Sequence, residues 1–317
     1  MSKLQSEISA ESPRIVCMLP SATEIIHGLG LFDRLVGRSH ECDFPPEAAP
    51  IPVVTYANIN AQASSDHIDR EVKERLSQGL SLYGIQKELL SKLQPDFIVT
   101  QTQCDVCAVS LSDVKAYLKE DLGINAELLV LAPSVLDDVW QDIQNVSTAI
   151  GIPKQGTTLV SALKKRLKAI QLKAATLPRP RVAMIEWTEP LMAAGNWVPE
   201  LVDIARGSNL LGNVGIHSNW MTEAELIAAN PDVIVVTPCG FDLERTKTEM
   251  APLRTLPCWQ QLQAVQSGQV YAVDGNAFFN RPGPRLIESA EILAEILHPQ
   301  EFSFGHAGKS WQRFCPC

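Results

Sequence analysis

Several features that mark other protein classes are missing from this sequence. No apolar run is long enough to cross a bilayer. Polar residues interrupt positions 1–13 every few residues, whereas a secretory signal needs a continuous apolar core. We therefore expect a cytoplasmic protein with a short disordered leader and no membrane insertion. It would be periplasmic only if it were exported by a route that the sequence does not reveal.

Signatures of catalysis and of nucleic-acid binding are also scarce. The chain has no Gly-rich loop of the kind that cradles phosphate groups and no nucleophile elbow. Its 27 Lys and Arg residues are outnumbered by 36 Asp and Glu residues, which gives a formal net charge of −9. An acidic surface disfavours nucleic acids and anionic membranes as partners, so we expect neither.

The length and composition are those of a soluble globular protein with more than one core. Apolar residues make up 45% of the chain and charged residues 20%. Its 317 residues exceed the usual size of a single hydrophobic core, so two compact units are the natural expectation.

Apolar runs rich in β-branched residues alternate with helical patterns along most of the chain. This alternation predicts an α/β fold in which helices cover parallel sheets. The predicted strands are 14–19, 34–37, 96–100 and 127–131 in the first half, and 181–186, 232–236 and 269–273 in the second.

The two halves repeat one pattern. Residues 13–16 resemble residues 180–183, and residues 94–100 resemble residues 230–237. In both members of the second pair, a predicted helix ends before a Pro-Asp step, because proline disfavours helix in the residue before it. The Pro-Asp step turns the chain, and a buried strand follows. Pro-Asp before a strand is common in α/β proteins, but two such elements in matching order favour a duplication.

A long helical pattern separates the two halves. Residues 156–176 show apolar residues at helical spacing and no Gly or Pro after Gly156, so they predict one helix that joins two lobes. The predicted division is an N-terminal α/β lobe at 13–150, a linking backbone helix at 151–179, a C-terminal α/β lobe at 180–299 and a C-terminal tail at 300–317.

Five stretches carry a family resemblance: 19–24, 36–46, 83–96, 219–226 and 280–285. Their order and spacing resemble the helical-backbone substrate-binding proteins of ABC transporters, and within them the cobalamin-binding branch. The resemblance implies two Rossmann-like lobes with parallel sheets, one long backbone helix and a ligand cleft between the lobes. It also implies a ligand-binding protein rather than an enzyme, with cobalamin or a related corrinoid as ligand and an ABC transporter permease as a possible partner.

Two features depart from the family pattern. Secreted members carry an export signal, whereas we expect none from the polar residues at positions 1–13. The chain also has an extra segment, about 56–80, whose charges and spacing suggest an added helix beside the cleft. A lid and a plain surface insertion are both compatible with it.

The loops that follow the strands are the expected ligand site, because open α/β sheets bind ligands beyond the carboxyl ends of their strands. A corrin is a broad, mostly apolar ring with amide arms, so its site needs large rigid contacts and a few polar groups. The resemblance places four aromatic residues at or near the cleft: Trp187, Trp220, Phe278 and Phe279. The alternative is that these aromatic residues pack as core. Tyr83 is predicted to add one more aromatic face, Arg281 to donate hydrogen bonds to a ligand amide or phosphate, and Ser21 to contact the ligand.

Four of the eight cysteines follow predicted strands: Cys42, Cys104, Cys107 and Cys239. Four thiolates suit zinc or an iron–sulfur cluster, and three would leave zinc an open position. A redox dithiol, a thiolate ligand to corrinoid cobalt and an apolar pocket lining are the alternatives. These cysteines carry a second functional hypothesis, a cytoplasmic metal or iron–sulfur protein, or an enzyme, on the same fold.

Overall fold

The computed structural model describes residues 12–102, 109–120, 125–257 and 259–314. They form an α/β protein that divides into two compact units. Unit 1 comprises Met1–Ala61, Val72–Ala132 and Asp142–Leu159, and unit 2 comprises Gln62–Glu71, Pro133–Gln141 and Val160–Cys317. The predicted fold class is confirmed, whereas the predicted domain boundaries stay predictions.

The strands and helices alternate as the sequence indicates. The strands are β1 (Ile15–Cys17), β2 (Leu35–Arg38), β3 (Thr55–Ala57), β4 (Tyr83–Ile85), β5 (Phe97–Gln101), β6 (Glu127–Leu131), β7 (Arg181–Thr188), β8 (Leu191–Ala193), β9 (Ser208–Asn209), β10 (Asn219–Trp220), β11 (Val233–Val236), β12 (Val270–Val273) and β13 (Trp311–Arg313). The helices are α1 (Pro20–Gly28), α2 (Ser65–Ser77), α3 (Lys87–Leu93), α4 (Leu111–Glu120), α5 (Leu136–Ala149), α6 (Pro153–Ala174), α7 (Val198–Ile204), α8 (Glu223–Ala229), α9 (Leu243–Glu249), α10 (Gln263–Gln266) and α11 (Leu286–Leu297). All the predicted strands are present, with ends shifted by at most two residues.

Unit 1 is built on a parallel sheet with the strand order β2-β1-β5-β6. All three residues of the central strand β1 are buried, as a strand covered on both faces requires. Strands β3 and β4 form a separate antiparallel ribbon that the sequence analysis did not predict.

Unit 2 is built on a mixed sheet with the order β10-β8-β7-β11-β12-β13, and β9 pairs with β7. Strands β7, β11 and β12 are parallel. On one side β8 pairs antiparallel with β7 and β10 pairs antiparallel with β8, and on the other side β13 pairs antiparallel with β12. Strand β13 comes from the segment predicted as a C-terminal tail, so part of that segment completes the sheet.

Helix α6 corresponds to the predicted linking helix, although it begins at Pro153 rather than at position 156. Proline suits this first turn because its missing N–H would have no helical partner there. Val160, Leu163, Leu167 and Ile170 form a buried stripe at three- and four-residue spacing. The division between the two units falls inside α6, after Leu159.

The predicted repeat is visible in the backbone. Helices α3 and α8 both end at a residue in the left-handed conformation, Gln94 at φ 42° and Asn230 at φ 37°. In each copy the Pro-Asp step then leads into a strand at the centre of its sheet, β5 or β11. The same sequence pattern therefore builds the same turn in both units.

Candidate functional site

In unit 1, Ser21 follows β1 and lies in the first turn of α1, where it is 1% exposed. Among the described residues its hydroxyl oxygen has no hydrogen-bond partner. The neighbouring Thr23 hydroxyl donates to Cys42 Sγ at 3.0 Å. The pKa of the Cys17 thiol is raised well above its ordinary value, mainly by burial and then by the proximity of Cys42. A hydrogen bond with Thr23 opposes this rise only in part. Cys42 therefore lies in a buried thiol and hydroxyl cluster.

Tyr83 lies on the β3–β4 ribbon, with its ring centre 5.6 Å from that of His40. His40 Nδ1 is 2.7 Å from Thr55 Oγ1, which fixes the imidazole beside the ribbon. Burial, and then the charge of Arg38, lowers the pKa of His40 below its ordinary value, which favours the neutral form of the ring. Sequence reasoning did not select His40 as a ligand residue, because its pairing with Tyr83 depends on a ribbon between distant segments.

In unit 2, Trp187 lies near the end of β7 and is 9% exposed. Its indole N–H donates to the carbonyl of Glu189 at 3.1 Å, and its ring centre is 5.1 Å from that of Phe241. The central carbon of the Arg245 guanidinium lies over the Phe241 ring, 3.6 Å from the ring centre. Sequence analysis did not select this stack, because its contacts join β7 to the loop after β11 and to α9, which are distant in the chain.

Part of the insertion predicted at 56–80, residues 62–71, packs within unit 2. Its predicted helix is present as α2, and Gln62–Glu71 belongs to unit 2. Arg245 Nη2 donates to the carbonyl of Ala63 at 2.6 Å, and Thr188 Oγ1 donates to Ser65 Oγ at 3.1 Å. The backbone N–H of Ser65 also donates to Glu249 at 3.1 Å. The beginning of α2 is thus bonded to the segment that carries the Phe241 stack.

Trp220 lies on the edge strand β10 and is 51% exposed. The residues around it are firmly held. On one side, Ser218 Oγ donates to Glu186 at 2.7 Å and accepts the N–H of Gly195 at 3.0 Å. On the other side, Thr222 begins α8 with a capping box closed by Glu225. A large aromatic side chain is therefore presented to solvent on a rigid segment.

The loop before Trp220 adds exposed apolar surface. Val214 is 51% exposed and Ile216 is 57% exposed. The loop packs against Gly195, where a Cβ atom would lie 2.2 Å from the carbonyl oxygen of Ile216. Exposed apolar side chains on an anchored loop are typical of a ligand or partner contact.

The remaining predicted ligand residues are buried in unit 2. Phe278 is 7% exposed, and the central carbon of the Arg285 guanidinium lies 4.7 Å from the centre of its ring. Phe279 is fully buried at φ 67°, and its carbonyl accepts the indole N–H of Trp197 at 2.7 Å. Phe279 therefore contributes to the core, the alternative noted for these aromatic residues, and its contact with a ligand stays a prediction.

Arg281 is 7% exposed and donates to Asn276 Oδ1 at 2.8 Å. Burial raises the pKa of nearby Asp274, and the charge of Arg281 acts in the opposite direction. Arg281 thus stabilises the loop before α11, and its predicted role as a donor to the ligand stays a prediction.

The predicted cysteine site is only partly within the described residues. Cys42 is buried in unit 1, and Cys239 is half-buried after β11 in unit 2. Cys104 and Cys107 lie outside the described residues. Within the described ranges, no group of three or more His, Cys, Asp or Glu side chains is arranged to hold a metal ion. These residues therefore give the metal hypothesis no support.

Comparison with known proteins identifies the family. Residues 15–277 match the family described as periplasmic binding protein. The chain belongs to this family. An uncharacterized ABC transporter substrate-binding lipoprotein of Bacillus subtilis is 27% identical over 304 residues, which cover 93% of this chain and 83% of that protein. A vitamin B12-binding protein of Photorhabdus laumondii is 21% identical over 301 residues, which cover 94% of this chain and 92% of that protein.

Solved structures show the same fold. The periplasmic vitamin B12-binding protein BtuF of Vibrio cholerae matches with a TM-score of 0.63 and 22% identity, over 90% of this chain and 96% of that chain. The periplasmic heme-binding protein RhuT of Roseiflexus, in its apo form, matches with a TM-score of 0.67 and 22% identity, over 91% and 98%. The resemblance predicted from the sequence is confirmed, and the iron–sulfur or enzyme alternative is not favoured.

In the part of the chain that the structure describes, no helix combines the length and the hydrophobicity needed to cross a membrane. Even the longest helix, α6, carries charged residues along its solvent-facing side.

Proposed function

We propose that this chain is the substrate-binding protein of an ABC transporter and that its ligand is cobalamin or a related corrinoid. Relatives that span most of the chain are named as vitamin B12-binding proteins and as an ABC transporter substrate-binding lipoprotein, which supports both parts of the proposal. A permease of that transporter would be the protein partner.

The structural observation that carries the ligand proposal is the exposed face of Trp220 on its anchored segment. An indole is large, flat and stiff, so it gives a broad ring ligand much contact area at a small cost in conformational entropy. Val214 and Ile216, on the loop that precedes Trp220 in the chain, add exposed apolar side chains. Together they fit the apolar body of a corrin better than a small polar solute.

Fluorescence provides a direct test, because a bound corrin absorbs light and quenches nearby tryptophan emission. Titration of the full chain with cyanocobalamin should show saturable quenching. Trp220→Ala should weaken binding by about 2 kcal/mol, or about 30-fold in Kd, as is typical when a central aromatic contact is lost. Trp220→Phe should retain part of the affinity, since it keeps an aromatic ring.

Ile227→Ala is the matched control, because Ile227 is an exposed apolar residue of α8 outside this surface. It should bind cyanocobalamin like the wild type. If Trp220→Ala also bound with unchanged affinity, the assignment of this surface to the ligand would be wrong. If hemin were bound and cyanocobalamin were not, the ligand would be a heme rather than a corrinoid.

We keep the cytoplasmic location expected from the sequence as a proposal of its own. Cell fractionation with antibody detection tests it independently of the ligand. The proposal requires the protein in the soluble cytoplasmic fraction. Recovery in the periplasm or with the membrane would contradict it and would favour export by a route that the sequence does not reveal.

A further inference from the structure

A groove of about 310 Å³ opens on unit 2 beside the second half of α6 and the end of α7. Its lining includes Lys168 and Leu172 from α6, Arg179 from the loop after α6, and Asp203 and Arg206 from the end of α7. Three cations and one carboxylate give it a positive balance in a chain whose net charge is −9. This local excess runs against the charge of the whole molecule.

The contacts inside the groove leave two of these cations without a carboxylate partner. Arg179 forms the ion pair with Asp203. Lys168 Nζ donates to the neutral amide oxygen of Gln171 at 3.0 Å, and Arg206 Nε donates to the carbonyl of Leu177 at 3.5 Å. In the described structure, Lys168 and Arg206 therefore direct two positive charges into the groove without neutralisation.

Arg206 holds its position in an unfavourable backbone conformation. The N–H of Arg206 donates to the carbonyl of Asp203 at 2.9 Å, and the N–H of Gly207 donates to that of Val202 at 2.7 Å. These two bonds form the Schellman ending of α7, in which the left-handed residue is usually glycine. Here Arg206, with φ 65°, occupies the left-handed position. A strained residue that brings a cation to a groove is a reason to look for a function there.

We propose that this groove binds a phosphate group, carried by a soluble molecule or by a lipid headgroup. Arg206 offers a planar set of N–H donors that match phosphate oxygens, and Lys168 adds a point charge. Arg179 is bonded to Asp203 and to the carbonyl of Gly207, and it lines the groove beside them. Leu172 is 63% exposed beside them and offers an apolar contact to whatever carries the phosphate. The volume is at the lower end of the range for small-ligand sites, about 300–1,000 Å³. This site is separate from the Trp220 surface and does not depend on the proposed function.

In the test, the full chain is titrated with inorganic pyrophosphate at fixed ionic strength, and calorimetry measures the binding. The wild type should bind it saturably. Arg206→Gly should weaken binding by about tenfold, which is the loss expected for one charge-assisted contact. Because glycine accepts the left-handed conformation, this variant should keep or raise the wild-type melting temperature. Lys165→Gln is the control, since Lys165 is an exposed cation of α6 outside the groove.

Two vesicle preparations distinguish the sources of phosphate. Arg206-dependent binding to phosphatidylglycerol vesicles, but not to phosphatidylcholine vesicles, would assign the groove to a lipid headgroup. Binding of pyrophosphate without binding to either vesicle would assign it to a soluble phosphate compound. The proposal is overturned if neither probe binds saturably, or if Arg206→Gly and Lys165→Gln lose the same affinity. Corrinoid titration of Arg206→Gly should match the wild type, so the two proposals fail independently.

Discussion

The two units start their central strands with the same turn but complete it with different partners. In unit 1, Asp96 accepts the backbone N–H of Arg14 at 2.7 Å, and the Arg14 guanidinium donates to the carbonyl of Leu93 at 2.9 and 2.7 Å. In unit 2, Asp232 accepts the backbone N–H of Arg181 at 2.8 Å, and the Arg181 guanidinium donates to the Asp232 carboxylate at 2.9 Å and to the carbonyl of Ala229 at 3.5 Å. The backbone contact is common to both units, and the ion pair between the arginine and the aspartate is found in unit 2.

This difference shows which part of the repeat is structural. The hydrogen bond from Arg181, only partly opposed by burial, lowers the pKa of Asp232. The turn itself forms with or without an ion pair between the arginine and the aspartate. The aspartate cap is therefore the common structural element of the repeated turn, and the ion pair is an addition in unit 2.

The aromatic residues diverge further. All the tryptophans belong to unit 2: Trp140, Trp187, Trp197, Trp220, Trp259 and Trp311. Unit 2 also has the antiparallel edges that present Trp220. Tryptophan fluorescence therefore reports on unit 2 alone.

The largest expected effect comes from the core of unit 2. Trp259 is fully buried in the cluster that contains Ile234, Val236 and Val270. Trp259→Ala should lower the free energy of unfolding by about 3–5 kcal/mol, because it leaves a cavity. Urea unfolding followed by the emission of the other tryptophans measures it. A loss below about 1 kcal/mol would mean that this cluster is not the core of unit 2.

A smaller effect separates the two aspartate caps. Asp232→Ala removes the backbone cap and the arginine partner, so it should cost about 1–2 kcal/mol, after allowance for the exposure of both side chains. Asp96→Ala removes the backbone cap alone and should cost about 1 kcal/mol. Thermal unfolding followed by circular dichroism compares them. An equal or larger loss for Asp96→Ala would contradict a stabilising role for the Arg181 contact.

The antiparallel edge of unit 2 should also depend on pH. Burial raises the pKa of Glu295, but bonds from the Trp311 indole and the backbone N–H groups of Phe304, Gly305 and His306 together lower it below 4.5. A carboxyl whose folded pKa is depressed stabilises the fold above its unfolded pKa, and this stability is lost as the pH falls through the folded value. The segment that carries β13 should therefore loosen below pH 4.5.

Hydrogen-exchange protection of residues 302–314 measures this loosening between pH 6 and pH 3. In Glu295→Gln the protection should be lower at pH 6 and should change less with pH, because the charge is absent throughout. The matched control is Glu47→Gln, an exposed carboxyl of unit 1. The same pH dependence in wild type and Glu295→Gln would exclude Glu295 as the cause.

The smallest effect on stability is expected at Trp220. Because half of its surface is exposed, Trp220→Ala should change the free energy of unfolding by no more than about 0.5 kcal/mol. Thermal unfolding beside Trp259→Ala gives a matched pair of tryptophan truncations in one unit. A loss of about 2 kcal/mol or more would show that Trp220 supports the fold, and its effect on ligand binding could not then be assigned to contact.

The central architecture could be predicted from the sequence because it rests on local signals. β-branched runs marked the buried strands, and the Pro-Asp steps marked the ends of α3 and α8. The antiparallel edge strands left weaker traces. Strands β8, β10 and β13 contain two or three residues each, too few for a periodic pattern.

The candidate site was harder to predict because exposure depends on tertiary packing. Trp220 and Phe279 have similar local signals, yet one is half exposed and the other is fully buried. The left-handed backbone of Phe279 turns its side chain into a core that forms only when α11 packs nearby. Residue type identified candidates for ligand contact, and only the fold separated surface from core.

Calorimetric titration of the purified wild-type chain with cyanocobalamin, with hemin and a ferric siderophore titrated in parallel, tests the central claim most directly. We predict one binding site per chain for cyanocobalamin with a micromolar or lower Kd, and affinities for the other two ligands weaker by at least about tenfold. Absence of binding heat and of any spectral change with cyanocobalamin, or tighter binding of hemin or of the siderophore, would contradict the assignment to a corrinoid.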